Sequence, residues 1–312
     1  MTRSTVAALR ARPETVLDDL ERLCALAGMP EALAGAPGVT LTCGGTPWQL
    51  DGVARALRDA GASDLDALPP RGPSARRRAL AKVLRAQGIA PRDPRAPPVE
   101  VKPRARMHAL PKGFPEGLFV PEGVAGRGAA QLGDLDAGAM PCALALLGDR
   151  AHRVEPWRDR ALVDLLAVQR ELHPGLFAVL DGTLSHGGLL LASRDLVALD
   201  AVAARLAGVD PGGVERLRLA HEDGLGVADP RDIRLVGDAL SDDRWNTNDL
   251  SRSPSPPPRG SSALRRFFSL PPFTRLRSEV DALRDGLRAR GRLDGPWGRL
   301  FERYALTGAA PG

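Results

Sequence analysis

The sequence predicts an α/β domain whose mixed or mostly parallel sheet is covered by helices, with a C-terminal helical segment beyond it. Three observations point there. From Leu176 to Gly237, short apolar runs ending in Asp or Gly alternate with stretches of helical period, the pattern of strands feeding helices. A strand candidate at Val39–Leu41 leads through Gly44-Gly45 into a segment with a full helix-start signal. The 312 residues are 43% hydrophobic and 26% charged, ordinary for a soluble globular chain and enough for one large or two small domains.

Taken in order, residues 13–27 read as a helix with Val16, Leu20, Leu23 and Ala27 on one face. After the strand at Val39–Leu41, Thr46 can cap a helix, Pro47 suits its first position and Gln49 completes a capping box. Leu50, Val53, Ala54 and Leu57 form its apolar face, and Gly61 ends it. A second helix spans Ser74 to Gln87, with Leu80, Val83 and Leu84 inward. Residues 90–105 are rich in Pro and Arg and read as extended, and Leu118–Val120 as a short strand. The stretch 123–138 is small-residued, with few anchors, and is expected to be flexible.

Arg160–His173 is an amphipathic helix that buries Leu162, Leu165, Leu166 and Gln169. Phe177–Leu180 and Leu189–Ala192 are buried strands, Leu199–Leu206 and Val214–His221 helices, and Ile233–Val236 a last strand. The α/β domain is therefore placed at 1–250. Residues 251–262, SRSPSPPPRGSS, form a Ser/Pro linker too polar to order itself. A C-terminal helical segment occupies 263–312. In it, Leu276, Val280, Leu283 and Leu287 make a stripe across Thr274–Arg290. Packing back on the domain is preferred for that stripe over a membrane-peripheral or partner-binding tail.

Composition narrows the partners. Net charge is +5, but Arg76-Arg77-Arg78 is the one tight basic cluster in the first 260 residues and no aromatic lies near it. A solvated helix face is the reading, and no nucleic acid is expected. Cys24, Cys43 and Cys142 are odd in number and far apart, without metal or iron–sulfur spacing, as suits a reducing compartment. The N-terminus lacks a signal-peptide apolar core, and no stretch reaches the ~18 apolar residues of a membrane span. The expectation is a soluble cytoplasmic protein.

Candidate chemistry collects at strand ends. Asp181 follows an apolar strand and precedes Gly182-Thr183, the place where open α/β sheets bind ligands. It is a catalytic candidate, against a turn-capping role. His221 is the second catalytic candidate, beside Glu222 and Asp223, against simple packing at a helix end. Gly44, Gly45, Thr46 and Gln49 can form an anion cradle at a helix N-terminus, or only a turn. Thr183 and His186, the latter in a Gly-rich loop, complete the ligand-binding candidates. Asp195 reads as a helix cap, and Asp200 as a first-turn residue favoured by the helix dipole. Cys43 reads as a buried apolar residue rather than a reactive thiol. No GxSxG elbow or HExxH motif occurs. The ligand class is a small anion or a metal, with no particular metal or cofactor indicated.

Several segments together resemble a known family: TPWQLDGV (46–53), FPEG (114–117), GAM (138–140), LVDLLAVQRELHPGLFAVLDGT (162–183), LASRDLVALDAVAA (191–204) and RLAHEDGLGVADPRDI (218–233). They look like the bacterial and archaeal "domain of unknown function 362" family, and WGRLF (297–301) resembles the tail of a longer subgroup. Some relatives carry ferredoxin-type cysteine clusters, which implies redox chemistry in those members; this chain has none. It also departs from the family's loops. Gln131 to Ala137 replaces a Lys- and His-bearing stretch, Pro141-Cys142-Ala143-Leu144 replaces a Lys-Asn turn, and Leu184-Ser185-His186-Gly187-Gly188 replaces a Gly-Asn-Gly-Pro loop. The resemblance implies a divergent member that binds a ligand or metal at the strand ends, with any redox link borrowed from relatives. The alternative is a catalytically impaired paralogue that acts as an interaction or regulatory module.

Overall fold

A computed structural model describes residues 3–68, 74–93, 97–238 and 295–310. Among these, eight strands form one sheet: β1 (Ser4–Arg10), β2 (Val39–Cys43), β3 (Leu65–Leu68), β4 (Ala90–Pro91), β7 (Gly128–Asp134), β8 (Leu176–Gly182), β9 (Leu189–Ser193) and β10 (Ile233–Gly237). Their spatial order is β10-β1-β9-β8-β7-β2-β3-β4. Only β9 runs against the others, pairing antiparallel with both β8 and β1. Two further strands, β5 (Pro98–Val101) and β6 (Leu118–Pro121), make a small separate ribbon. The class is α/β with a mostly parallel mixed sheet.

Helices cover both faces. Strand alternation decides which residue meets which layer. Phe177 and Val179 of β8 share a core with α1 (Val16–Leu26), α3 (Pro47–Asp59) and α4 (Ser74–Ala86). Ala178 and Leu180 point the other way, into a core with α6 (Arg158–Leu172), α7 (Leu196–Leu206) and α8 (Glu215–Glu222). Short helices α2 (Met29–Leu33) and α5 (Leu110–Gly113) and a long 3-10 stretch, Met140–Trp157, fill the connections. A last helix, α9 (Pro296–Thr307), lies on α3 and α4 and adds Leu300 and Tyr304 to the first core.

The predicted apolar faces of α1, α3, α4 and α6 are the buried ones. One expectation needs correction, one strand was missed, and one expectation falls outside the described residues. The stretch 123–138 is not a flexible connection: it contains β7, buried in mid-sheet between β2 and β8. Its small residues are required by close neighbours. A side chain at Gly133 would come within 3.0 Å of Cys142 Sγ and of the Gly138 carbonyl. Gln131 is accordingly a strand residue, fully buried, donating to Gln169 Oε1 at 2.7 Å. Next, β1 escaped the reading because STVAALR, with only Val6 and Leu9 as large apolar residues, gives no strong strand signal, yet it sits between β9 and β10. Last, the helix seen packed on the domain is α9. The predicted linker 251–262 and the stripe at Thr274–Arg290 lie outside the described residues.

Candidate functional site

The C-terminal ends of β2, β7 and β8 meet beneath the N-termini of α3 and α4. Leaving β2, Gly44 donates its N–H to the Leu132 carbonyl at 2.8 Å, which binds the loop to β7. Gly45 makes room for a side chain from the next helix. A Cβ there would lie 1.5 Å from Gln49 Oε1. Gln49 is fully buried and stretches across the sheet end, donating Nε2 to the carbonyls of Val179 (2.8 Å) and Gly133 (3.2 Å). Its Oε1 has no hydrogen-bond partner among the described residues. The capping box is thus half formed. Thr46 Oγ1 accepts from the Gln49 N–H at 3.4 Å, but the Gln49 side chain ties β7 to β8 instead of returning to the cap. The space read as an anion cradle is filled by Gln49 itself.

At the end of β8, Asp181 is 3% exposed and engaged at both oxygens. The Thr46 hydroxyl donates to Oδ2, and the Thr183 N–H donates to Oδ1 at 2.7 Å. Burial pushes the Asp181 carboxyl above the usual range; the Thr183 and Thr46 hydrogen bonds pull it back in part, and the Asp134 charge adds to the rise. Asp134 stands directly across from Asp181 in the β7–β8 register. It pairs with Arg76 of α4 at 2.5 Å, and the same guanidinium reaches the Gly44 carbonyl at 3.2 Å. One loop further, His186 Nε2 meets Asp136 Oδ1 at 2.7 Å. The His186 loop is pinned by Ala11 N–H to Gly188 O at 2.8 Å. Gly188 is obligatory there, since a Cβ would fall 2.3 Å from the Ala11 carbonyl and its φ is +86°.

The structure therefore brings together Gly44, Gly45, Thr46, Gln49, Asp181, Thr183 and His186, but not His221. β9 descends antiparallel from Leu189 beside Gly182 to Ser193 beside Ala178, so Asp195 lies at the opposite end of the sheet. There Asp195 caps α7, accepting from the N–H groups of Val197 and Ala198 at 3.0 Å. A Cβ on Gly226 would touch its carboxylate. His221 belongs to that corner, with Nδ1 at 3.0 Å from the Gly226 carbonyl. It is an exposed helix-end residue that fastens the chain after α8.

One other expectation changes and a second holds. Asp200 lies beyond the first turn of α7 and is fully buried. Instead of serving the dipole, it accepts from the N–H groups of Ala139 (2.5 Å) and Met140 (3.2 Å). Burial pushes its pKa up to about 6 against the pull of Arg216 and those N–H groups. Cys43 is buried as expected, with its thiol pushed up to about 12 by desolvation, which outweighs the nearby helix start.

None of Arg76, Asp134 and Asp136 was read as a site residue: Arg76 was taken as part of a solvated helix face, and the two aspartates only as part of the replaced 131–137 stretch. Arg76 was hidden in a run of three arginines, and the two aspartates in a stretch not recognised as a strand end. Among the described residues no group of three or more His, Cys, Asp or Glu side chains is placed to hold a metal ion. No described helix is long and apolar enough to cross a membrane. No family model matches the sequence, no curated protein matches it, and no solved structure matches the fold.

Proposed function

We propose that this is a cytoplasmic protein that binds a small ligand at the joined ends of β2, β7 and β8. The observation that supports this reading is the buried Asp181 carboxylate where three strand ends converge, beneath the half-buried rim of Arg76, Asp134, Asp136 and His186. Open α/β sheets bind ligands at this end, and a carboxyl held away from water with a raised pKa is a recurrent mark of functional sites. Arg76 and His186 offer donors to a small anion. Kinship with the domain of unknown function 362 family is part of the same proposal and rests on the motifs quoted above.

A second reading has its own support. The Thr46 hydroxyl, the Thr183 N–H and the Gln49 side-chain NH2 are all engaged within the protein, which supports a structural stitch in an interaction or regulatory module that has lost its chemistry. Native mass spectrometry with elemental analysis of freshly purified protein separates the two. Ligand binding predicts a bound species, or a thermal shift within a metal and metabolite panel, that His186→Ala and Arg76→Ala abolish. No bound species and no shift would leave the stitch.

A further inference from the structure

The N-terminal end of α3 has two working sides. Thr46 and Gln49 face the sheet and hold Asp181, Gly133 and Val179. Trp48 and Asp51, three residues apart and so on one helical face, are turned to α9. Trp48 is fully buried, with Trp297 at 5.4 Å and Tyr304 at 6.4 Å between ring centroids. The Tyr304 hydroxyl donates to Asp51 Oδ2 at 2.7 Å, inside the interface. At the far end, Lys82 of α4 donates to the carbonyls of Ala305 (2.5 Å) and Leu306 (3.1 Å), satisfying groups that a helix C-terminus leaves open.

We propose that α9 is a detachable C-terminal latch, and that its docking on Trp48 and Asp51 is coupled through the N-terminal end of α3 to the strand-end cluster around Asp181. Three features suit a latch. The 12-residue helix is too short to persist in water once undocked. Its partners are α3 and α4 alone among elements in substantial contact with it. The interface also carries an unmet demand: Trp48 Nε1 is buried without a partner among the described residues, which weakens docking relative to a fully satisfied contact. Release would uncover Trp48 and free the turn that positions Thr46 and Gln49. This coupling does not depend on what the cluster binds.

Hydrogen–deuterium exchange on the full chain tests it, with two variants remote from the cluster. Lys82→Ala removes the two C-terminal carbonyl contacts, and Tyr304→Phe removes one hydroxyl. Tyr304→Phe is expected to speed exchange across 296–307 by about tenfold, the factor that corresponds to one hydrogen bond, and Lys82→Ala, which removes two, by at least as much. Amides of 46–50 and 181–186 should speed up with it, while 196–206 on the other face stays unchanged. Thermodynamic reciprocity adds a third arm: Thr46→Val, which cuts the link to Asp181, should loosen 296–307. Opening of α9 with 46–50 and 181–186 unaltered overturns the coupling. Variants that leave 296–307 as protected as before overturn the latch. If Tyr304→Phe accelerates every segment, including 196–206, the Lys82→Ala and Thr46→Val results decide.

Discussion

The Thr46 hydroxyl donates to the buried carboxylate of Asp181, joining the cap of α3 to the end of β8 across 135 residues of sequence. A single side chain thus does two jobs, since the same oxygen also accepts from the Gln49 N–H. The consequence is that the first turn of α3 cannot shift without disturbing the end of the sheet. Gln49, threaded between Gly133 and Val179, fixes the same turn from its other end.

If Asp181 serves as the acceptor for two buried donors, its replacements should rank by acceptor capacity. Asp181→Asn keeps a carbonyl and removes a carboxyl that burial already disfavours as an anion. It should lie within about 1 kcal/mol of the parent at pH 7. Asp181→Ala strands the Thr46 hydroxyl and the Thr183 N–H and should cost roughly 2 to 4 kcal/mol. Urea denaturation of the three proteins gives the order. Equal stability of the Asn and Ala variants would mean that the donors find other partners.

Gly45 and Gln49 should behave as one unit. A methyl at position 45 meets Gln49 Oε1, so Gly45→Ala must expel the amide from both of its carbonyl partners, at a cost of about 2 to 3 kcal/mol. In a Gln49→Ala background the obstruction is gone, and the same glycine change should be nearly neutral. A double-mutant cycle by chemical denaturation measures the coupling. Additive losses would show that Gly45 is needed for its backbone rather than for the space it leaves.

Much of this fold was legible because periodic apolar faces respond to the same burial that packs them. Leu50, Val53, Ala54 and Leu57 read as one face and are one face. β7 was not legible, since GAAQLGD carries a single large apolar residue, Leu132, among Gly, Ala and polar neighbours. Its place in mid-sheet follows from what packs on it, Cys142 and the 138–140 turn, and those contacts are remote in sequence. The strand-end residues Thr46, Gln49, Asp181 and Thr183 were found because strand ends and helix starts have local signatures. His221 was placed with them wrongly. Its local sequence marks a helix end correctly, but the side of the sheet depends on β9 running antiparallel, and no local pattern states that. Arg76, Asp134 and Asp136 needed the β7 register before their nearness to Asp181 could be seen.

The cysteines should be silent in the native protein. Burial pushes the thiols of Cys24 and Cys43 up to about 12 and raises that of Cys142 as well. Thiolate is the reactive form, so at pH 8 a small aromatic disulfide reagent should titrate none of the three within minutes, and all three after denaturation. Rapid native reaction of Cys43 would place it at an open site and revive it as a nucleophile.

Asp200 should leave a mark on the pH dependence of stability. Its folded pKa of about 6 stands above the ordinary carboxyl value of 3.8, so the folded state holds the proton more tightly than the unfolded chain. The contribution is therefore complete below about pH 4 and is lost as pH rises through about 6, a change of roughly 3 kcal/mol at most. Asp200→Asn cannot titrate. It retains one carbonyl for Ala139 or Met140 and should be destabilised most clearly at pH 4, where the parent carboxyl is neutral. Between pH 4 and pH 7 the gap should narrow, because only the parent pays for a buried charge. Denaturation curves for both proteins at four pH values across that window provide the test, and a gap that stays constant would show that Asp200 titrates as an ordinary carboxylate.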